Sequence, residues 1–314
     1  MQRGGAARQM ARNTLPSGVV SPRGLAPSRA GRALALAALA AAAAGCGGAG
    51  PLARPPAPAR DSASTPAAAA SVTWIGHATV LLRLGGATFL TDPVFGDLFG
   101  IVVRHDPPGI ALGDLPHIDA ILISHGHVDH LDPWTLGRLD HAATVVVPAG
   151  LEPRVRELGF GDVHGLRVWE TVRVRGVRVT AVPAQHTRRS LGYLVGDGPT
   201  VYFAGDTGLF DGMGAIGDSA RIDLALLPIG GYRPVLGLIP RPARALRRMH
   251  MTPDDVPAAA ALLRPRLIVP IHWGTFRITA EPPDEPAARL RSIVAERGLG
   301  EAVRILAPGE TLAF

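Results

Sequence analysis

What the sequence lacks narrows its reading first. No lysine occurs anywhere, so all 32 basic residues are arginines, set against 26 Asp and Glu for a formal charge of +6. Six of those arginines (Arg3, Arg8, Arg12, Arg23, Arg29 and Arg32) precede residue 46, and the first acidic residue is Asp61. From residue 46 onward 26 arginines face 26 acids. That part has no net basic charge to attract a phosphate backbone, and nucleic acid is not an expected partner. The single cysteine, Cys46, rules out an internal disulfide. No apolar run reaches the ~20 residues that a membrane-crossing helix needs. The stretch Ala33–Ala44 has twelve. A hydrophobic fraction of 47% excludes wholesale disorder, and the 38 Gly and 29 Pro follow no collagen-like period.

What is present before residue 71 has the order of an export signal. Arg23, Arg29 and Arg32 form a positive flank, Ala33–Ala44 has the length of a secretory apolar core, and Gly45-Cys46-Gly47-Gly48 closes it. A small-residue run ending in Gly-Cys resembles a bacterial lipobox, which implies that Cys46 becomes the first mature residue and carries lipid. Residues 1–45 are therefore expected to be a lipoprotein-type signal segment. Residues 46–70, rich in Ala, Pro and Gly, are expected to be a flexible tether. The product would be an exported lipoprotein anchored to the membrane on the periplasmic side of the cell envelope.

Residues 71–314 suit one large α/β domain. Apolar runs bounded by turn signals predict buried strands at Ala78–Leu84, Ala87–Thr91, Asp119–Ser124, Thr144–Pro148, Thr200–Ala204, Leu224–Pro228 and Leu267–Ile271, with Gly85-Gly86 as a hairpin turn. Leu166–Val182 alternates valine (Val172, Val174, Val177, Val179) with arginine (Arg173, Arg175, Arg178), the pattern of strands with one wet face. Pro153–Gly159, Thr252–Leu263 and Pro286–Arg297 read as helices, the second with Thr252 as N-cap, Pro253 at the first position and Asp254-Asp255 in the first turn. Val94–Val103 (Val94, Phe95, Leu98, Phe99, Ile101, Val102) is either a lipid-facing loop or a core segment.

One segment stands apart. Ser124-His125-Gly126-His127-Val128-Asp129-His130-Leu131-Asp132 places three histidines and two aspartates within eight residues, directly after an apolar strand. Such a density of polar groups is costly to bury unless a divalent cation pairs with it. His125 and His127, two residues apart, can turn two imidazoles onto one ion, and Asp129 with His130 suit a second. Further ligand-type residues follow other strands: Gln185-His186, Gly205-Asp206-Thr207-Gly208 and His272-Trp273-Gly274. In layered α/β proteins strand ends converge on one site. His125, His127, Asp129, His130, His186, Asp206 and His272 are too many donors for one tetrahedral ion and suit two ions with open positions. His105, His117, His141 and His164 have no such context and read as surface residues.

His-x-His-x-Asp-His, then a later His, then Gly-Asp, then a last His resembles the metallo-β-lactamase superfamily. The resemblance implies an αβ/βα four-layer sandwich with a dinuclear site, usually of two Zn²⁺, at one edge. It implies that His125, His127 and His186 hold the first ion, that Asp129, His130 and His272 hold the second, and that Asp206 bridges them. Within the superfamily, the sequence more closely resembles the N-acyl-phosphatidylethanolamine phospholipase D family. That resemblance is carried by Trp74-Ile75-Gly76-His77-Ala78-Thr79, Thr91-Asp92-Pro93, Ile121–Asp132, Pro183-Ala184-Gln185-His186, Phe203–Gly208, Pro228–Tyr232, Met249-His250-Met251-Thr252-Pro253 and Ile271–Phe276.

A water shared by two Zn²⁺ is acidified towards neutrality and yields a bridging hydroxide nucleophile. The resemblance thus implies hydrolysis of an N-acylated phosphoethanolamine lipid to phosphatidic acid and an N-acylethanolamine. Asp129 and Asp206 would orient water besides binding metal. His250 and Tyr232, from family-like segments, are candidates for holding the phosphate or the leaving group, or else pack. His77 and Asp92 are expected to support the ligand loops from behind. Two other readings stand beside this one: a dizinc hydrolase of a small soluble ester, lactone or cyclic phosphodiester, and a metal-binding surface lipoprotein without catalysis. Expected partners are thus a lipid or small phosphodiester and, through Cys46, a membrane.

Overall fold

The computed structural model describes residues 70–98, 100, 102–233 and 248–314. The signal segment, the tether up to residue 69 and the lipidation reading at Cys46 lie outside the described residues. The rest forms two mixed β-sheets. The first runs β13-β1-β2-β3-β4-β5-β6: β1 (Ser71–Gly76), β2 (Thr79–Leu84), β3 (Ala87–Thr91), β4 (Ala120–Leu122), β5 (Thr144–Pro148), β6 (Val163–Leu166) and β13 (Thr311–Ala313). The second runs β12-β11-β10-β9-β8-β7: β7 (Thr171–Val174), β8 (Val177–Pro183), β9 (Leu191–Val195), β10 (Val201–Phe203), β11 (Leu224–Pro228) and β12 (Leu267–Ile271). Helices α1 (Pro133–Leu136), α2 (Glu152–Arg156), α3 (Gly212–Ser219), α4 (Val256–Leu263) and α5 (Glu285–Arg297) complete it.

Alternate residues of each strand point to opposite faces, and both faces are apolar. Val72, Val80, Leu82 and Phe89 of the first sheet meet Val179, Ala181, Tyr193, Phe203 and Leu226 of the second in one core. On the outer face of the first sheet Leu81, Ile121, Val145 and Val147 cover Leu136 of α1 and Val155 of α2. On the outer face of the second, Tyr202, Ala225, Leu227 and Ile268 meet Met213 and Ile216 of α3, Val256, Ala259 and Leu263 of α4, and Leu290 of α5. This is the αβ/βα four-layer arrangement, with strands sandwiched between helices. Each fully buried Leu, Ile or Phe contributes about 1.5–3 kcal/mol.

Local chemistry fixes the helix entries. Asp132 caps α1 by accepting the N–H groups of Trp134 and Thr135. The Asp255 carboxylate accepts both the N–H and the hydroxyl of Thr252, closing a single 3₁₀ turn, Pro253–Asp255, that leads into α4. The arginines of β7, β8 and the turn between them are paired: Arg173 and Arg178 share Asp197, and Arg175 meets Asp119. In the Val94–Val103 stretch Val94, Phe95 and Leu98 are core residues and Val103 is exposed, while Phe99 and Ile101 lie outside the described residues. Among the described residues, no helix is long and apolar enough to cross a membrane.

The topology sets the site. β3, β4 and β5 are parallel, as are β10, β11 and β12, so their carboxyl ends open on one edge of the sandwich. Asp92 follows β3, His125 follows β4, Asp206 follows β10 and His272 follows β12. Trp74 of β1 stacks on Trp273 at 4.9 Å and pins the two sheets together behind that edge.

Candidate metal centre

Three imidazoles converge in the first group. His125 Nε2 lies 2.9 Å from His127 Nδ1, which lies 3.2 Å from His186 Nε2. Two of the rings, His186 and His125, are aimed by a bond on the far side. His186 Nδ1 donates to the Met249 carbonyl (3.1 Å), which leaves its Nε2 as a lone pair facing the group. His125 Nδ1 meets the Ser124 hydroxyl at 2.9 Å. That hydroxyl donates to Asp92 (2.5 Å), so it accepts the proton of Nδ1 and leaves His125 Nε2 bare.

The second group is built around Asp129. Its Oδ2 lies 3.5 Å from His130 Nε2, 3.8 Å from His272 Nε2 and 3.1 Å from His77 Nε2. His130 Nδ1 donates to Asp92 Oδ2 at 2.6 Å. The fully buried Asp92 also accepts the Ser124 N–H (2.7 Å), so one carboxylate steers a ligand in each group, His130 directly and His125 through Ser124.

Asp206 faces both groups. Oδ2 is 3.9 Å from His125 Nε2, 3.8 Å from His186 Nε2 and 3.3 Å from His130 Nε2, and Oδ1 is 3.0 Å from His272 Nε2. Gly205, at φ +57°, lets this strand end approach: a Cβ there would meet the Ser124 Cβ at 2.4 Å.

Burial drives the electrostatics. It holds His125 and His186 well below the usual imidazole range, so both are neutral and able to bind a cation. Burial also lowers His77 to about 3 and His250 to about 4. For Asp129 and Asp206 burial acts upward, but the surrounding imidazoles overcome it and keep both well below the ordinary carboxylate range. Burial opposes charging of His130, yet Asp206, Asp129 and Asp92 together raise it well above its usual value.

A cation fits this set. His130 Nε2, Asp206 Oδ1, His250 Nδ1 and both ring nitrogens of His272 are buried without a hydrogen-bond partner among the described residues. Unpaired buried polar atoms are costly, and here they converge with mixed imidazole and carboxylate character. His77, Asp129, His130 and His272 bring one donor atom each within 4.8 Å of one another, and so do His125, His127 and His186.

The two groups contain every residue expected to bind metal, and Asp206 lies between them. His250 joins them, with Nδ1 3.7 Å from Asp206 Oδ2. Tyr232 does not. Its hydroxyl donates to Glu285 (2.5 Å) and its N–H to Glu281 (3.2 Å), so the side chain expected near the phosphate is spent on strapping its loop to α5. His105, His117 and His164 pair with Asp106, Asp119 and Asp162, and His141 lies against Phe160 with the rings tilted by 51°. Ser124 and the Met249 carbonyl are site groups beyond those expected from the sequence. The first could have been found, since a hydroxyl directly precedes the first ligand of the motif; a carbonyl carries no sequence signal.

Residues 87–273 match the Beta-lactamase superfamily domain. The chain belongs to the metallo-β-lactamase superfamily. An N-acyl-phosphatidylethanolamine-hydrolyzing phospholipase D 1 of Caenorhabditis elegans is 32% identical over 256 residues, 72% of this chain and 70% of that one. A UPF0173 metal-dependent hydrolase of Methanopyrus kandleri is 30% identical over 253 residues, 76% of this chain and 98% of the other. Among solved structures, a metallo hydrolase from Ignicoccus hospitalis superposes with a TM-score of 0.60 at 26% identity, covering 79% of this chain and 99% of its own. Like these relatives, this superfamily member is a metal-dependent hydrolase with a candidate His/Asp metal site.

Proposed function

We propose that this metallo-β-lactamase superfamily member is a dizinc phosphodiesterase that hydrolyses N-acyl-phosphatidylethanolamine to phosphatidic acid and an N-acylethanolamine. The observation that carries the reading is Asp206, whose carboxylate faces both donor groups (Oδ2–His186 3.8 Å and Oδ2–His125 3.9 Å in the first, Oδ1–His272 3.0 Å and Oδ2–His130 3.3 Å in the second). The likeness to the phospholipase of Caenorhabditis elegans supports the lipid substrate.

The residues that would hold the first ion are His125, His127 and His186. Those that would hold the second are Asp129, His130 and His272, with Asp206 shared. Two zinc ions held there would acidify a water and neutralise the non-bridging phosphate oxygens. The chain's own residues do the placing. Met249 and Ser124 fix the tautomers of His186 and His125, and Asp92 holds His130. Asp129 and Asp206, both ionised, orient the attacking water in line with the leaving alcohol. His250 turns an unpartnered Nδ1 towards Asp206, placed to hold the phosphate or the departing alcohol. In the same proposal the domain is exported and held at the membrane surface through a lipid on Cys46, which brings it to its substrate.

The test is incubation of the zinc-loaded protein with N-acyl-phosphatidylethanolamine vesicles, with products identified by mass spectrometry. Phosphatidic acid and N-acylethanolamine are the expected products. Turnover of a water-soluble diester or lactone without phosphatidic acid would move the substrate to the small soluble class. Zinc binding without any turnover would make the protein a metal carrier.

A further inference from the structure

The second donor group contains one imidazole more than the superfamily ligand pattern asks for. His77, on the turn between β1 and β2, is 2% exposed. Its Nε2 approaches the same carboxylate oxygen, Asp129 Oδ2, that faces His130 and His272. A residue that supports a carboxylate ligand from behind binds the oxygen turned away from the metal. His77 is on the metal side. Its 3.1 Å separation from Asp129, beside 3.5 and 3.8 Å for the other two, is close to the ~3.3 Å between neighbouring donors of a tetrahedral ion with bonds of about 2.0 Å. The ring lies 3.9 Å from that of His272.

The backbone is built to hold this ring in place. His77 adopts φ +53°, a left-handed conformation unfavourable for a residue with a Cβ. Its N–H donates to the Thr275 hydroxyl (2.6 Å), and its carbonyl accepts the Trp74 indole N–H (3.0 Å) and the His272 N–H (2.8 Å). His272 is itself at φ +60°. Two residues in strained conformations thus lock each other, and each presents an imidazole to the same place.

We propose that His77 is a direct ligand of the second ion, with Asp129, His130 and His272. The proposal rests on the dinuclear reading above. With Asp206 shared, the second ion then has five protein donors and the first four, so the first keeps the more open shell.

The test is proton NMR of the full chain loaded with Co²⁺, in which each cobalt-bound imidazole contributes one strongly shifted, exchangeable N–H signal. Binding of two Co²⁺, with one such signal lost in H77Q, is the expected result. Two Co²⁺ with every shifted signal retained in H77Q would overturn the His77 assignment alone. Uptake of a single Co²⁺ without a His77 signal would overturn both it and the dinuclear reading. Should H77Q fail to fold, H250Q removes the other imidazole of the site that lies outside the superfamily ligand pattern. A shifted signal there beyond those of His125, His127, His130, His186 and His272 still requires His77, and its absence overturns the assignment.

Discussion

Asp206 Oδ1 lies 3.0 Å from His272 Nε2, yet neither atom has a hydrogen-bond partner among the described residues. A carboxylate oxygen and a ring nitrogen held that close without a hydrogen bond are the arrangement that a shared cation satisfies. Asp206→Asn removes the charge and one lone pair while keeping the shape. The expected outcome is loss of activity by about 10³-fold or more, with weakened binding of metal, read by turnover and by metal analysis of the purified variant. A variant that kept both ions and its rate would refute the bridging role.

Asp92 acts through the ligands it aims. Asp92→Asn should weaken metal binding about 10- to 100-fold at both positions. Ser124→Ala, which cuts only the link to His125, should weaken the first position and spare the second. Competition titration with a chromophoric chelator separates the two. Equal losses at both positions in the serine variant would contradict the relay.

Gly205 is required by a close approach. Gly205→Ala puts a Cβ 2.4 Å from the Ser124 Cβ at φ +57°. A loss of more than about 1 kcal/mol in stability is expected, together with weaker metal binding, because the clash moves Asp206 and His125 apart. Chemical denaturation with and without metal measures both effects.

Tyr232→Phe should leave the turnover rate within about twofold and cost about 1 kcal/mol of stability, since the hydroxyl serves Glu285. A large fall in kcat at unchanged stability would return Tyr232 to the chemistry.

The metal-free protein should be most stable near neutral pH. Burial lowers His77 to about 3 and His250 to about 4, and holds His125 and His186 well below 6.5. On unfolding these rings return to their ordinary value and take up protons below pH 6.5. Stability therefore falls as pH drops from 6.5 towards 4, by up to about 1.4 kcal/mol per histidine per pH unit. His130 works in the other direction. Held high by its carboxylates despite burial, it contributes fully below pH 6.5, and the contribution is lost as pH rises through its folded-state value. Thermal melts of chelator-treated protein across this range provide the check. A melting temperature that climbs on acidification would contradict the burial argument.

Local sequence signals were enough where burial is uniform. Ala87–Thr91, Thr144–Pro148, Leu224–Pro228 and Leu267–Ile271 are strands with the expected bounds, because apolar runs between turn residues have few other solutions. The valine–arginine alternation of 166–182 was legible as sheet, but its break into β7 and β8 at Arg175 (φ +51°) and Gly176 (φ +86°) was not. β13 has no local signal: Thr311–Ala313 is largely exposed and exists through pairing with Ser71–Thr73 at the other end of the domain. In the site, the donors were legible from their chemistry and their places after strands. The relay through Ser124, the Met249 carbonyl and the diversion of Tyr232 to Glu285 depend on segments that meet only in the folded chain.

The central claim is that Asp206 joins two ions into one centre. Anomalous diffraction at the zinc edge, from crystals grown with zinc, tests it most directly. Two peaks are expected, one among His125, His127 and His186 and one against Asp129, His130 and His272, with the Asp206 carboxylate between them. A single peak, or two with Asp206 turned away from one of them, would contradict it.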